Sequence, residues 1–226
     1  MSMKHKENIT CPKCGKESEF TLWQSINTMI DPEMKNAVRD RSAFRFTCAH
    51  CGHTANVDYP FLYHQMEDRI MVQYAASDEA AQETCKLFTG GVDDKMEMLK
   101  DLIKDKYLRR IVRSQNQLLE KLAIFDAGMD DRLVEIFKVF LMAEFMKQHP
   151  DAGAVELLLY TDKDQKHIIE VLGDGRSLGG AELTDEMYNA VKQQFSSSLK
   201  DIRDDDPIIN QEWALGFLSR SRNHES

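Results

Sequence analysis

Hydrophobic and polar positions along this chain change period as the architecture changes. Over residues 19–30 (EFTLWQSINTMI) they alternate, with Phe20, Leu22, Gln24 and Ile26 on one side and Thr21, Trp23 and Ser25 on the other. A period of two in aromatic and β-branched residues predicts a strand. Asp31 and Pro32 then predict a helix start, the acid capping free amides and the proline pre-set for the first helical position, with Met34, Ala37 and Val38 facing inward. Further strands are predicted at residues 43–47, 54–59 and 70–74. From Ser77 the period turns helical, with breaks at Gly90-Gly91 and Gly128. Asp93 and Asp94 predict a cap for a helix over residues 96–104, and Ile111, Val112, Gln115, Leu118, Leu119 and Leu122 form the stripe of the next. Asp130 or Asp131 starts a third, which ends at His149-Pro150. It carries Leu133, Phe137, Phe140, Leu141 and Phe145 on one face and Ile136, Val139 and Met142 on another, so it is expected to be the most buried element.

Two apolar runs, 156–161 and 167–172, flank Asp162-Lys163-Asp164-Gln165 and predict a hairpin. Gly173-Asp174-Gly175 to Gly179-Gly180 invites comparison with a phosphate loop. Its glycine spacing is wrong and Asp174 would repel phosphate, so a flexible loop is expected. Helices follow from Thr184-Asp185-Glu186, with Met187, Val191 and Phe195 in a stripe, and from Asn210, with Trp213, Leu215, Phe217 and Leu218. A turn is expected at Asp204-Asp205-Asp206-Pro207, and residues 219–226 as a polar tail. The expected class is α+β: an N-terminal zinc-ribbon-like antiparallel β unit with a helical insert over residues 1–76, then a mainly α-helical domain over 77–226 with a β-hairpin near 155–172.

Charge adds direction. The chain of 226 residues has a formal net charge of -9, its first 76 residues being balanced, so the acidic excess lies after them. Such a surface repels nucleic acid, anionic membrane and acidic substrates. Residues 1–8 are polar and lysine-rich, without the apolar core of a secretory leader, and the longest mostly apolar run, 136–146, carries Lys138 and Glu144. Together these predict a cytoplasmic protein with no membrane span.

The chemistry concentrates in Cys11-Pro12-Lys13-Cys14-Gly15 and Cys48-Ala49-His50-Cys51-Gly52. Each C-x-x-C turn offers two thiolates to one ion, and glycine after the second cysteine permits the left-handed backbone that folds amides toward sulfur. Cys11, Cys14, Cys48 and Cys51 are therefore the predicted metal ligands, and four sulfurs leave no open position, which predicts a structural site. Zinc is preferred. Rubredoxin-type iron uses similar turns, and redox use of a single C-x-x-C would not need a second pair. His50 and His53 flank the second turn and could substitute for a ligand, although a solvated turn histidine is the commoner case.

At these residues the chain resembles the bacterial CpXC domain family, named for the motif seen here as Cys11-Pro12-Lys13-Cys14. The resemblance takes in Trp23, Ser25-Ile26-Asn27, Asp31-Pro32, Phe44-Arg45-Phe46, Tyr59-Pro60-Phe61-Leu62-Tyr63-His64 and the strand Ile70 to Tyr74. It is strongest over about residues 9–75, and Gln65 stands where the family tends to have Asp. The family is functionally uncharacterised, so the resemblance implies a ribbon and no activity.

Other groups have duller readings. Lys35, Arg39, Arg41 and Arg45 near Phe44 and Phe46 could bind single strands, or could be a solvated helix face beside half-buried aromatics, which the charge balance favours. His64 with Glu67 resembles an acid–base pair but is expected in a loop between strands. Asp130, Asp131 and Glu135 resemble a carboxylate cluster but suit the acid-rich first turn of a helix. Cys85 reads as a small core residue, and Met96, Met98, Met142 and Met146 as core or as an adaptable docking surface. No nucleophile, open metal position or cofactor loop points to an enzyme. The reading is a zinc protein that binds protein partners, with a nucleic-acid-binding regulator as the alternative.

Overall fold

The computed structural model describes residues 2–89, 107–200 and 206–223, which fold as a mixed α+β protein. The expected helix at 96–104, Met96, Met98, the Gly90-Gly91 break and the first half of the 204–207 turn lie outside these residues. The chain divides into two compact units, Met1–Leu118 and Leu119–Ser226. No helix among the described residues is long and apolar enough to cross a membrane.

In the first unit, β1 (Met3–Thr10) and β2 (Glu17–Asn27) form a long antiparallel hairpin, with Thr10 opposite Glu17 and Met3 opposite Ser25. The mostly polar segment Met3–Thr10 becomes a strand because β2 supplies the ladder; only Ile9 in it is even half-buried. The chain then passes through α1 (Met34–Arg39) and a small hairpin of β3 (Arg45–Thr47) and β4 (Thr54–Asn56). It returns as β5 (Leu62–Gln65), parallel to β2. β6 (Ile70–Tyr74) follows antiparallel to β5, then α2 (Asp78–Phe88) and β7 (Leu108–Val112), parallel to β6. The sheet order is β1-β2-β5-β6-β7. The expected antiparallel unit is thus a mixed sheet, since strands joined by a crossover emerge parallel.

Three local expectations are corrected here. Ile111 and Val112 lie on strand β7, ahead of the helix they were expected to open. His64, expected in a loop between strands, is buried on strand β5. The Asp31 side chain does not cap α1: Glu33 holds that position without a side-chain bond, while the Asp31 carboxylate lies 3.9 Å from Lys4 Nζ. Ile26, Val38, Phe44, Phe61, Tyr63 and Val72 are among the buried core residues of this unit.

The division between units falls inside α3 (Gln115–Asp126). In the second unit, α4 (Asp131–Gln148) opens with the Asp130 carboxylate accepting the Arg132 N–H, as expected of a cap. An antiparallel sheet follows, β8 (Val155–Thr161), β9 (His167–Gly173) and β10 (Arg176–Glu182), in the order β10-β9-β8. The predicted hairpin is β8–β9. The segment expected as a flexible loop is instead a tight turn, with Asp174 and Gly175 at φ 50° and 72°, leading into β10. Helices α5 (Asp185–Lys200) and α6 (Gln211–Asn223) complete the unit, so the expected polar tail is helical to residue 223.

Among the described residues, two apolar clusters lie in this unit. Leu157 and Leu159 of β8, Ile169 and Val171 of β9 and Leu183 pack with Ile124 and Val134, while Leu133 and Ile136 pack with Val191, Phe195, Leu199, Ala214 and Phe217. Helix α4 contributes to both, but only its first half is deeply buried. Phe140 is 41% exposed.

Candidate metal centre

Each cysteine pair sits at the tip of a β-hairpin, and the two tips repeat one backbone pattern. In the first, Cys11 N–H donates to Lys16 O and Gly15 N–H to Cys11 O, both at 2.9 Å; in the second, Cys48 N–H donates to His53 O and Gly52 N–H to Cys48 O, again at 2.9 Å. Gly15 and Gly52 have φ of 70° and 68°, the left-handed conformation a side chain would resist. The first tip is held by the β1–β2 ladder and the second by β3–β4.

The four sulfurs lie within 4.8 Å of one another, and the pairs Cys11–Cys51 and Cys14–Cys48 are each 3.7 Å apart. A tetrahedral ion with bonds of about 2.3 Å to sulfur sets its ligands about 3.8 Å apart, so these four residues are positioned to hold one ion. Cys11 and Cys48 are buried and Cys14 and Cys51 exposed. The buried pair packs with Phe20 and Phe46, and with Ile9, Leu22, Ala55, Val57 and Tyr59 around them. The metal site is therefore also part of an apolar cluster.

The thiols do not ionise alike. Burial opposes charge on Cys48, but the His50 and Cys51 N–H groups, the Ser18 hydroxyl and Cys14 outweigh it and bring the thiol down to about 6. For Cys51 the His53 N–H favours the thiolate, while local desolvation of the sulfur, on an otherwise exposed residue, and the other three cysteines push it up to about 11. Charge on one sulfur resists charge on the next, the repulsion a divalent cation relieves. Among the described residues the metal-competent cluster consists of the four cysteines. His50 turns away from it, its Nε2 3.1 Å from Glu17 O.

The family model described as "CpXC protein" matches residues 9–138, more than half of the chain. The chain belongs to the CpXC family. No curated protein and no solved structure matches it. The match runs well past the first cysteine turns to include β7, α3 and the start of α4.

The remaining candidates are placed as follows. Lys35 Nζ lies 3.2 Å from Glu67 Oε1 and 3.3 Å from Asp68 Oδ2. Arg39 donates to Lys35 O, to Tyr63 Oη and to Gln65 Oε1, and Arg41 to Asn116 Oδ1. Arg45 is exposed on β3. Phe44 and Phe46, expected half-buried, are fully buried, Phe44 against Tyr59 and Phe61 and Phe46 against Phe20. His64 and Glu67 find different partners: His64 Nε2 meets Tyr107 Oη at 3.1 Å, and Glu67 accepts from Thr28 Oγ1 at 2.7 Å. Cys85 is half-buried on α2.

Asp131 lies in the first turn of α4 as expected, but it and Glu135 take part in a buried ion network. Both are buried, with Lys121 Nζ 3.0 Å from each, and Lys138 Nζ is 2.9 Å from Glu120 and 3.1 Å from Glu135. Glu120 Oε1 also accepts the Leu159 N–H of β8 at 2.7 Å. Sequence reasoning missed Glu120, Lys121 and Lys138. The available signal was charge at helical spacing inside an apolar pattern.

Proposed function

We propose that this chain is a zinc-binding protein whose ion is structural and whose exposed surface serves a protein partner. The closed tetrad carries the metal half of this reading: four sulfurs near tetrahedral spacing satisfy zinc completely and leave no position for a reacting water. Zinc suits a closed tetrathiolate structural site, and a reducing cytoplasm keeps the thiols available for it. We assign no reaction to the protein.

The partner half is supported by apolar side chains gathered at one end of the main sheet. Met29 and Ile30, just past β2, are 64% and 57% exposed, and Met3 on β1 and Met66 just past β5 are exposed too. The register that sets Met3 opposite Ser25 and Asn27 opposite His64 brings these ends together. Methionine-rich surfaces adapt readily to a partner. Nucleic acid gains less support, since Phe44 and Phe46 lie in the core, Lys35, Arg39 and Arg41 are already engaged, and the net charge is -9.

Metal analysis with an absorption spectrum tests the first half. About one colourless equivalent of zinc per chain is expected; a coloured ferric-thiolate spectrum would put iron in its place, and a folded protein without metal would remove the reading. For the second half, a stoichiometric co-purifying protein should be lost on M29E/I30E with metal content unchanged. Salt-sensitive retention on single-stranded DNA, abolished by neutralising Arg41 and Arg45, would favour nucleic acid instead.

A further inference from the structure

Ser18 stands where the strand pattern asks for an apolar side chain. It shares the inward side of β2 with Phe20, lies between exposed Glu17 and Glu19, and is itself buried. A hydroxyl in an apolar cluster is costly unless its hydrogen and its oxygen are both engaged. Here both are: Ser18 Oγ donates to Cys48 Sγ at 3.6 Å and accepts the Ala49 N–H at 3.1 Å. A single side chain of the first hairpin thus contacts a sulfur and the next backbone amide of the second. The first turn presents no equivalent amide, because Pro12 follows Cys11 and has no N–H.

We infer that Ser18 is a positioning residue of the metal centre. This rests on the metal-binding reading above. Its hydroxyl fixes the direction in which Cys48 presents sulfur and draws electron density from the thiolate, while its oxygen holds the second turn against the first. Outer partners of this kind orient ligands, and their loss typically weakens metal binding by about 10-fold to 100-fold.

Cobalt-substituted full-length protein tests the inference, with S18A, the shape-matched pair S18T and S18V, and A49P. In S18A a competing chelator should remove cobalt roughly 10-fold faster or more. The sulfur-to-cobalt charge-transfer band should move to lower energy, because a thiolate without its hydrogen bond gives up electron density more readily. S18V should behave like S18A and S18T like the wild type, so the comparison stands even if S18A fails to fold. A49P removes the amide but leaves the hydroxyl donor, as Pro12 does in the first turn, and should keep the wild-type band. Wild-type band and release rate in S18A or S18V overturn the assignment, as does A49P reproducing the S18A band. A folded wild type without any thiolate–cobalt band would overturn the metal reading itself, an outcome distinct from either.

Discussion

Burial lowers the affinity of His64 for a proton, since the ring lies in strand β5 beside Tyr107, away from water. A group whose folded pKa is below its unfolded one stabilises the fold fully above the unfolded value, about 6.5 for histidine, and that stabilisation is lost as pH falls toward the folded value. The wild-type melting temperature should therefore drop between about pH 7 and about pH 5 more steeply than that of H64Q, which retains a polar group to face Tyr107. Parallel slopes in thermal melts would show that His64 contributes nothing to acid sensitivity. His64 also marks a limit of sequence reading at this scale. Its chemistry was legible and its surroundings were not, because Tyr107 is far along the chain. Ser18 was hidden for a related reason: between Glu17 and Glu19 it looks like one more polar residue, and only the second hairpin shows what it faces. The cysteines escaped this limit because their ligand geometry is local.

Among the elements, α3 and α4 show how burial converts charge from decoration into a constraint. Glu120, Asp131 and Glu135 meet Lys121 and Lys138 inside the second unit, three carboxylates against two ammonium groups. Burial raises the Glu120 pKa against the pull of Lys138 and Lys121, whereas Glu135, also opposed by burial, is held low by Lys138 and Lys121. Removing one partner from a buried network strands the charge it balanced, at a cost of about 3 to 5 kcal/mol. K138M, which leaves Glu120 and Glu135 facing each other, should shift the urea transition of the second unit by that order. E120Q should cost less, since its amide oxygen still accepts from Leu159 and Lys138 keeps Glu135 as a partner. Equal shifts in the two variants would contradict this account of Glu120. Periodicity misplaced the elements that depend on neighbours far along the chain. Strands β5 and β7 are too short to show a period of their own, β10 hides behind glycines, and β1 is almost wholly exposed. Strand β2, the β8–β9 hairpin and α4 were legible, because their apolar positions repeat over a longer span.

At the scale of the whole molecule, the metal site and the second unit draw on separate cores. The apolar cluster of the first hairpins contains Cys11 and Cys48 themselves, whereas the two clusters of the second unit contain no cysteine of the tetrad. On the proposed reading of a structural zinc, which contributes on the order of 10 kcal/mol to the folding of small domains, removal of the ion should melt the hairpins and spare α4, α5 and α6. The chain carries two tryptophans, which divide the readout. Trp23 lies on β2, buried, with Lys4 Nζ 4.3 Å from its ring, and Trp213 lies on α6 stacked against Phe217. In W213F, where Trp23 is the remaining reporter, a strong chelator should move the emission to longer wavelength as the indole meets water. In W23F the emission of Trp213 should hold, with the helical circular-dichroism signal largely intact. Loss of helicity in step with the Trp23 change would mean that the second unit cannot stand without the metal. An unmoved Trp23 in verified metal-free protein would mean that the hairpins are held by their aromatic cluster alone. The expected result lies between these: the ion binds the two cysteine turns into one structure, and the helices α4 to α6 keep a core of their own.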